Sequence, residues 1–379
     1  MNRFIFTYGL ILLSFYGCIP SHIDTDVRRD DNPYSMYGKN SQRIFYSDQM
    51  VSDSLEKLWS FTINGGFNSS SVSMYDSLCF INDLSGRIYA LNFYTGKKEG
   101  QLKTSGAVFT TPLLYKFWLI FAASQINEDR SSLVYYDYAQ GRELRRVEIQ
   151  GRVVTQLLST DEAVILITEN GVVHKITWGG IKLWETDTGV STRSNPALSE
   201  EIIIFGNDKG EIIAIDESTG KIIYRLKKGN IFYGGTAVSG SFAYIGDNSG
   251  ILYCVAVKNG TFEWSFDTGA RIEMTPVIND SSVIIGNLNG DLFSVDKLNG
   301  KVYWQSHDSR VFSSTPFVTK NYIIAPDLNG KIHFIGVSNG NTKKVLELEG
   351  RVKLSPVFFR NVLLIGYDNG VLDAYKFIF

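Results

Sequence analysis

The chain has 379 residues, with 37 Lys and Arg against 39 Asp and Glu for a formal net charge of −2, and it carries 35 glycines but only 8 prolines. A near-neutral balance disfavours a nucleic-acid partner, which needs a basic stripe. No apolar run reaches the ~18 residues of a membrane-spanning helix.

Residues 1–18, MNRFIFTYGLILLSFYGC, place Arg3 before an apolar core from Phe4 to Tyr16, with the small Gly17 directly before Cys18. That is the layout of a secretory signal. The segment resembles a bacterial lipoprotein signal, although Phe15 and Tyr16 depart from the aliphatic and small residues usual there. The resemblance implies that residues 1–17 are removed as a signal peptide and that the Cys18 thiol is diacylated, which holds the chain to a membrane face. Residues 19–52 are polar, with charges of both signs and no sustained period, so 18–52 reads as a lipidated cysteine followed by a flexible tether. Such a tether spans on the order of 30 Å.

The folded unit is expected over 53–379. Its first element, EKLWSF at 56–61, reads as a lone outer strand. Beyond it the chain repeats. Gly210, Gly250, Gly290, Gly330 and Gly370 stand 40 residues apart, and Gly220, Gly260, Gly300 and Gly340 share the interval, as do Pro276, Pro316 and Pro356. Pro196 fits the same ladder, with Thr236 at its gap. Between the markers lie short β-branched runs such as EIIIFGN (201–207) and SVIIGN (282–287), too short for helices. Asn-Gly and similar pairs then close tight turns. An alternating strand follows, as in DLFSVDKLN (291–299), and then a strand marked by an aromatic at Trp184, Tyr224, Trp264 or Trp304.

A four-stranded antiparallel unit of about 40 residues in tandem is a β-propeller blade. Innermost strands starting near Val72, Val108, Val154, Asn195, Thr236, Thr275, Thr315 and Ser355 make eight blades. The last blade ends at VLDAYKFIF (371–379) without an outer strand, so the segment around Trp59 is expected to complete it. The fold class is an all-β, eight-bladed propeller closed by an N-terminal strand, which removes both free sheet edges.

Ala214-x-Asp216-x-x-x-Gly220-x-x-x-Tyr224 and Ser294-x-Asp296-x-x-x-Gly300-x-x-x-Trp304 resemble the docking repeat of the quinoprotein, or PQQ-type, propellers. That resemblance implies that Trp59, Trp184, Tyr224, Trp264 and Trp304 pack between neighbouring blades. The plan of lipobox, polar segment and eight blades resembles, within that superfamily, the BamB-type lipoprotein propellers of outer-membrane β-barrel assembly. It implies a monomeric, non-catalytic scaffold on the periplasmic side of the outer membrane, with no cofactor and with the barrel-assembly machinery as protein partner. The alternatives are a PQQ-dependent dehydrogenase or other small-molecule-binding propeller, and a surface-exposed or periplasmic interaction protein. Against the enzyme, the chain has no adjacent cysteine pair, and its blades are near minimal length.

Chemistry-bearing residues are scattered. His22, His174, His307 and His333 lack metal-binding spacing. Asp208, Asp247, Asp327 and Asp368 sit where hairpin turns favour Asp, and no calcium-loop pattern surrounds them. Cys79 and Cys254 fall in different blades and read as unpaired, small apolar side chains. One recurrence has no such explanation: Arg152, Arg271 and Arg351 occupy matching inter-blade loops, with Arg193 and Arg310 displaced by one or two positions. All five loops open on one face near the central channel. Either these arginines pair with local acids such as Asp267, Asp308 and Glu349, or they form a positive ring for partner docking, since Arg forks onto carboxylates. BamB-type proteins grip their partner through such loops, but the Leu-rich and paired-Asp loops of that family have no counterpart in DTGVSTRSN or KKGNIFYGGT.

Overall fold

Residues 197–227 show how sequence becomes a blade. Ala197–Ser199 pairs with Ile202–Gly206, which pairs with Glu211–Asp216, which pairs with Ile222–Lys227, all antiparallel. The second and third strands are buried on both faces because a neighbouring blade covers each side, and every buried Ile contributes about 1.5–3 kcal/mol. The outermost strand alternates half-buried and exposed residues. The turn between the middle strands is set by Asn207, whose Oδ1 accepts the backbone N–H groups of Lys209 and Glu211 at 3.0 Å. The equivalent Asp247, Asn287 and Asp327 do the same, so these aspartates are turn residues.

The computed structural model describes residues 22–307, 311–312 and 314–379. Eight sheets follow one another around a ring. Blade 1 spans 73–103, blade 2 107–150, blade 3 158–187, blade 4 197–227, blade 5 236–267, blade 6 277–307 and blade 7 317–347. Blade 8 joins Val357–Phe359, Val362–Tyr367 and Val371–Phe377 to Leu55–Thr62, with Trp59 opposite Ala374, so the N-terminal strand closes the ring. Blade 2 departs from the expected start at Val108. Its inner strand is Leu113–Tyr115, after Pro112, while Ala107–Val108 pairs separately with the long second strand Trp118–Gln125. Pro112 lacks the N–H that an unbroken ladder would need.

Five of the eight seams between blades share one repeated contact. Trp184 Nε1 donates to the Glu217 carbonyl at 3.0 Å, and its ring lies on Gly220 of the next blade. Trp59 reaches Phe93 and Gly96 in this way, Tyr224 reaches Val257 and Gly260, Trp264 reaches Lys297 and Gly300, and Trp304 reaches Val337 and Gly340. Between blades 2 and 3, Arg145 takes the aromatic's place and lays its aliphatic stem on Gly180.

The flexible tether expected up to residue 52 is corrected by the structure for its described part. Residues 22–52 form a strap across one end of the ring, burying Ile23, Tyr34, Met36, Tyr37, Phe45 and Val51. The backbone of Ser41, Gln42 and Phe45 accepts N–H groups from Leu198, Val238 and Val318, inner-strand residues of blades 4, 5 and 7. Arg43 is 1% exposed and donates to the carbonyls of Tyr37, Gln156, Leu157 and Pro196 at 2.8–3.1 Å. Burial lowers its pKa to about 9, so it stays charged at neutral pH. The strap was illegible because its apolar residues obey no period: they fit the irregular end of the ring.

Candidate docking face and channel

In each blade the loop entering the inner strand and the turn between the middle strands lie on one face. The strap crosses the other. Around the channel, polar residues at the inner-strand starts bond blade to blade: Ser71 N–H donates to Thr111 Oγ1, Thr111 N–H to Gln156 Oε1, and Gln156 N–H to Asn195 Oδ1, at 2.8–3.0 Å. Within this belt lies a cavity of about 560 Å³, lined by residues such as Asn68, Phe109, Asn195, Thr275 and Ser355. Tyr37 of the strap also lines it, and its hydroxyl lies 3.1 Å from Thr315 Oγ1. The channel is therefore a well floored by the strap and open on the loop face.

Of the two readings of the loop arginines, pairing with nearby acids holds for each of the four that the structure describes. Arg152 pairs with Glu169, Arg193 with Asp208 at 2.8 Å, Arg271 with Glu273 at 2.6 Å and Arg351 with Asp368 at 2.8 Å. Neither of the described candidates, Asp267 and Glu349, is among these acids, and Asp308 lies outside the described residues; three of the partners stand on the middle-strand turn of the blade that each loop enters, which brings them directly beside the guanidinium. The hydrogen bond to Asp208 holds Arg193 above its ordinary pKa, and Arg351 and Asp368 shift each other apart in the same way. Arg310 and Cys18, like residues 1–17, lie outside the described residues.

Two of the four described arginines meet. Arg193 and Arg271 both line the well, and their guanidinium carbons lie 5.0 and 6.0 Å from the ring centre of Tyr233. Arg152 and Arg351 are not among the lining residues. Tyr233 and Glu273 were missed, although the signal was present: Arg193, Tyr233 and Glu273 share one position of the 40-residue repeat. Arg271 belongs to another position and reaches the cluster only because adjacent blades converge on the axis. A guanidinium on a tyrosine face gains a cation–π attraction of about 0.5–1 kcal/mol where exposed.

Among the described residues, no group of three or more His, Cys, Asp or Glu side chains is placed to hold a metal ion. Cys79 and Cys254 are free thiols buried in blades 1 and 5, and burial pushes Cys254 up to about 12. His333 lies 2.8 Å from Asp327 in a buried pair that supports a turn.

Several solved structures share this architecture. BamB from Moraxella catarrhalis superposes with a TM-score of 0.72 at 18% identity, over 86% of this chain and 100% of that one. The computationally designed Ika8 protein gives 0.71 at 14%, over 85% and 100%. Quinohemoprotein alcohol dehydrogenase from Comamonas testosteroni gives 0.76 at 11%, over 91% and 80%. At such identities the likeness is one of fold, and the propeller serves unrelated activities. A search of curated protein sequences finds no match. The family model described as outer membrane protein assembly factor BamB matches residues 118–229 and 208–355, more than half of the chain. With its blades, closure and seams in place, the chain belongs to that family of PQQ-repeat propellers.

Proposed function

We propose that this propeller is a non-catalytic scaffold in outer-membrane protein assembly, held to the membrane through a lipidated Cys18 and facing the periplasm. Its partner docks on the loop face. The observation that carries this reading is the cluster of Arg193, Tyr233 and Arg271 at the mouth of the well, in a chain of the BamB family. Arginine and tyrosine are enriched where interfaces concentrate their binding energy. The Asp208 and Glu273 partners do not disable the arginines. Both guanidiniums are about half exposed, at 49% and 44%, and such pairs contribute only about 0–1 kcal/mol, so an incoming carboxylate exchanges with them at little cost.

The test is affinity purification from mildly solubilised membranes with the intact chain and with an Arg193→Glu, Arg271→Glu double variant. The intact chain is expected to capture the barrel-assembling components, and the variant to lose them while keeping the intact melting temperature. Absence of those components from the intact bait defeats the assembly role. Equal capture by the variant defeats the docking face.

A further inference from the structure

The strap has a defined end. At the position where five other seams carry an aromatic, blade 1 has Gly100, paired with Ala90 as Tyr224 is paired with Ala214. Ile23 fills the gap. It is fully buried, and its Cα and Cγ1 lie 2.9 and 3.1 Å from the point where a Gly100 Cβ would stand. Gln101 N–H donates to the His22 carbonyl, Ile23 N–H to the Tyr136 hydroxyl and Thr25 N–H to the Tyr138 carbonyl, each at 3.0–3.1 Å. Residues 22–25 are thus the seam between blades 1 and 2, as firmly part of the ring as Trp184 is at its own.

From Cys18 to His22 there are four residue steps, which reach at most about 14 Å when fully extended. We infer that the propeller is docked directly against the lipid surface, with the wall of blades 1 and 2 at the strap face next to the bilayer and the mouth of the well turned away from it. This rests on the reading of Cys18 as acylated. The geometry then follows from the ring. His22 sits where the outer strand of blade 1 meets Gly141, in the last turn of blade 2, and those turns share the strap face. A leash of this length brings that wall to the lipid head groups and keeps the opposite wall from them. Arg142 and Lys98 flank the site with the neutral partners Gln140 and Gln101, which leaves their charges available to head-group phosphates, alongside the acids Asp24 and Glu99.

The test uses the full mature lipoprotein in phosphatidylethanolamine–phosphatidylglycerol vesicles carrying a nitroxide quencher on the head groups. A fluorophore is attached at Lys97→Cys or Thr95→Cys beside the anchor, or at Asn289→Cys on the loop face of blade 6; all three positions are exposed, while Cys79 and Cys254 are buried and unreactive. Quenching is expected to be several-fold stronger at the first two positions. It should fall to the Asn289→Cys level when a Gly/Ser insert of about 30 residues separates Pro20 from Ser21, since such a chain restores a ~30 Å span. Equal quenching at all three sites, no change on insertion, or a mature chain without acyl mass at Cys18 each overturns the inference. Partner capture by soluble Cys18→Ser protein reads the docking face independently, so failure of one leaves the other standing.

Discussion

Ile23 lies on the bare Cα of Gly100, in the place that a tryptophan or tyrosine fills at five other seams of the ring. A Cβ at Gly100 would stand 2.6 Å from the His22 carbonyl oxygen, against backbone that cannot yield. Gly100→Leu is therefore expected to expel residues 22–27 and leave the ring folded. Hydrogen–deuterium exchange should show protection lost at Gln101 and Thr25 and kept in blades 4–6, a local opening of the kind proteins make without global unfolding.

At an aromatic seam the same logic runs in reverse. Gly300 has φ +71°, and a Cβ there would stand 2.6 Å from the Trp264 ring. Gly300→Ala combines backbone strain with a clash and should destabilise by more than about 1 kcal/mol. Trp264→Ala, which empties the seam and loses the bond to Lys297, should cost about 3–5 kcal/mol in denaturant unfolding.

Arg43 holds the strap to blades 3 and 4 through the carbonyls of Gln156, Leu157 and Pro196, and braces the strap itself through that of Tyr37. Arg43→Met keeps much of the stem's volume but strands those acceptors, so a loss of about 2–4 kcal/mol is expected, since charged hydrogen bonds contribute about 1.5–3 kcal/mol each and do not add fully. Trypsin should then cut within 26–42 in native protein, and an uncut strap would contradict this role.

Two buried groups make stability fall with acid. Burial holds His174 below its ordinary pKa against the opposing pull of Glu185. Asp327 is also held low: burial pushes it up, but hydrogen bonds from His333 and from the Lys331 and Asn329 amides outweigh that. Each binds its proton more weakly folded than unfolded, so each stabilises above its unfolded pKa and loses that contribution as pH falls through its folded value. Melting temperature should decline first below about pH 6.5 and again below about pH 4. His174→Gln should remove the upper step. Asp327→Asn should flatten the lower one while keeping its turn, because Asn207 and Asn287 fill the same position in blades 4 and 6.

The blades were legible because every signal for them is local and repeats: the turn residues, the alternation and the docking aromatics recur each 40 residues, and their count closes only with the strand around Trp59. The docking face was legible in part. Arg193 and Arg271 stood out as loop arginines, but their meeting at Tyr233 depends on the convergence of three blades, and their carboxylate partners lie on turns that only folding brings beside them.

By itself the sequence determined the architecture, since a period is a property of the chain that every repeat states again. The tertiary structure decided what residues 22–52 do. A segment without periodicity carries no internal evidence of its partners. Ile23 finds Gly100 and Arg43 finds the carbonyls of Gln156 and Pro196 across separations of about 77 to 153 residues, contacts that exist only once the ring has closed.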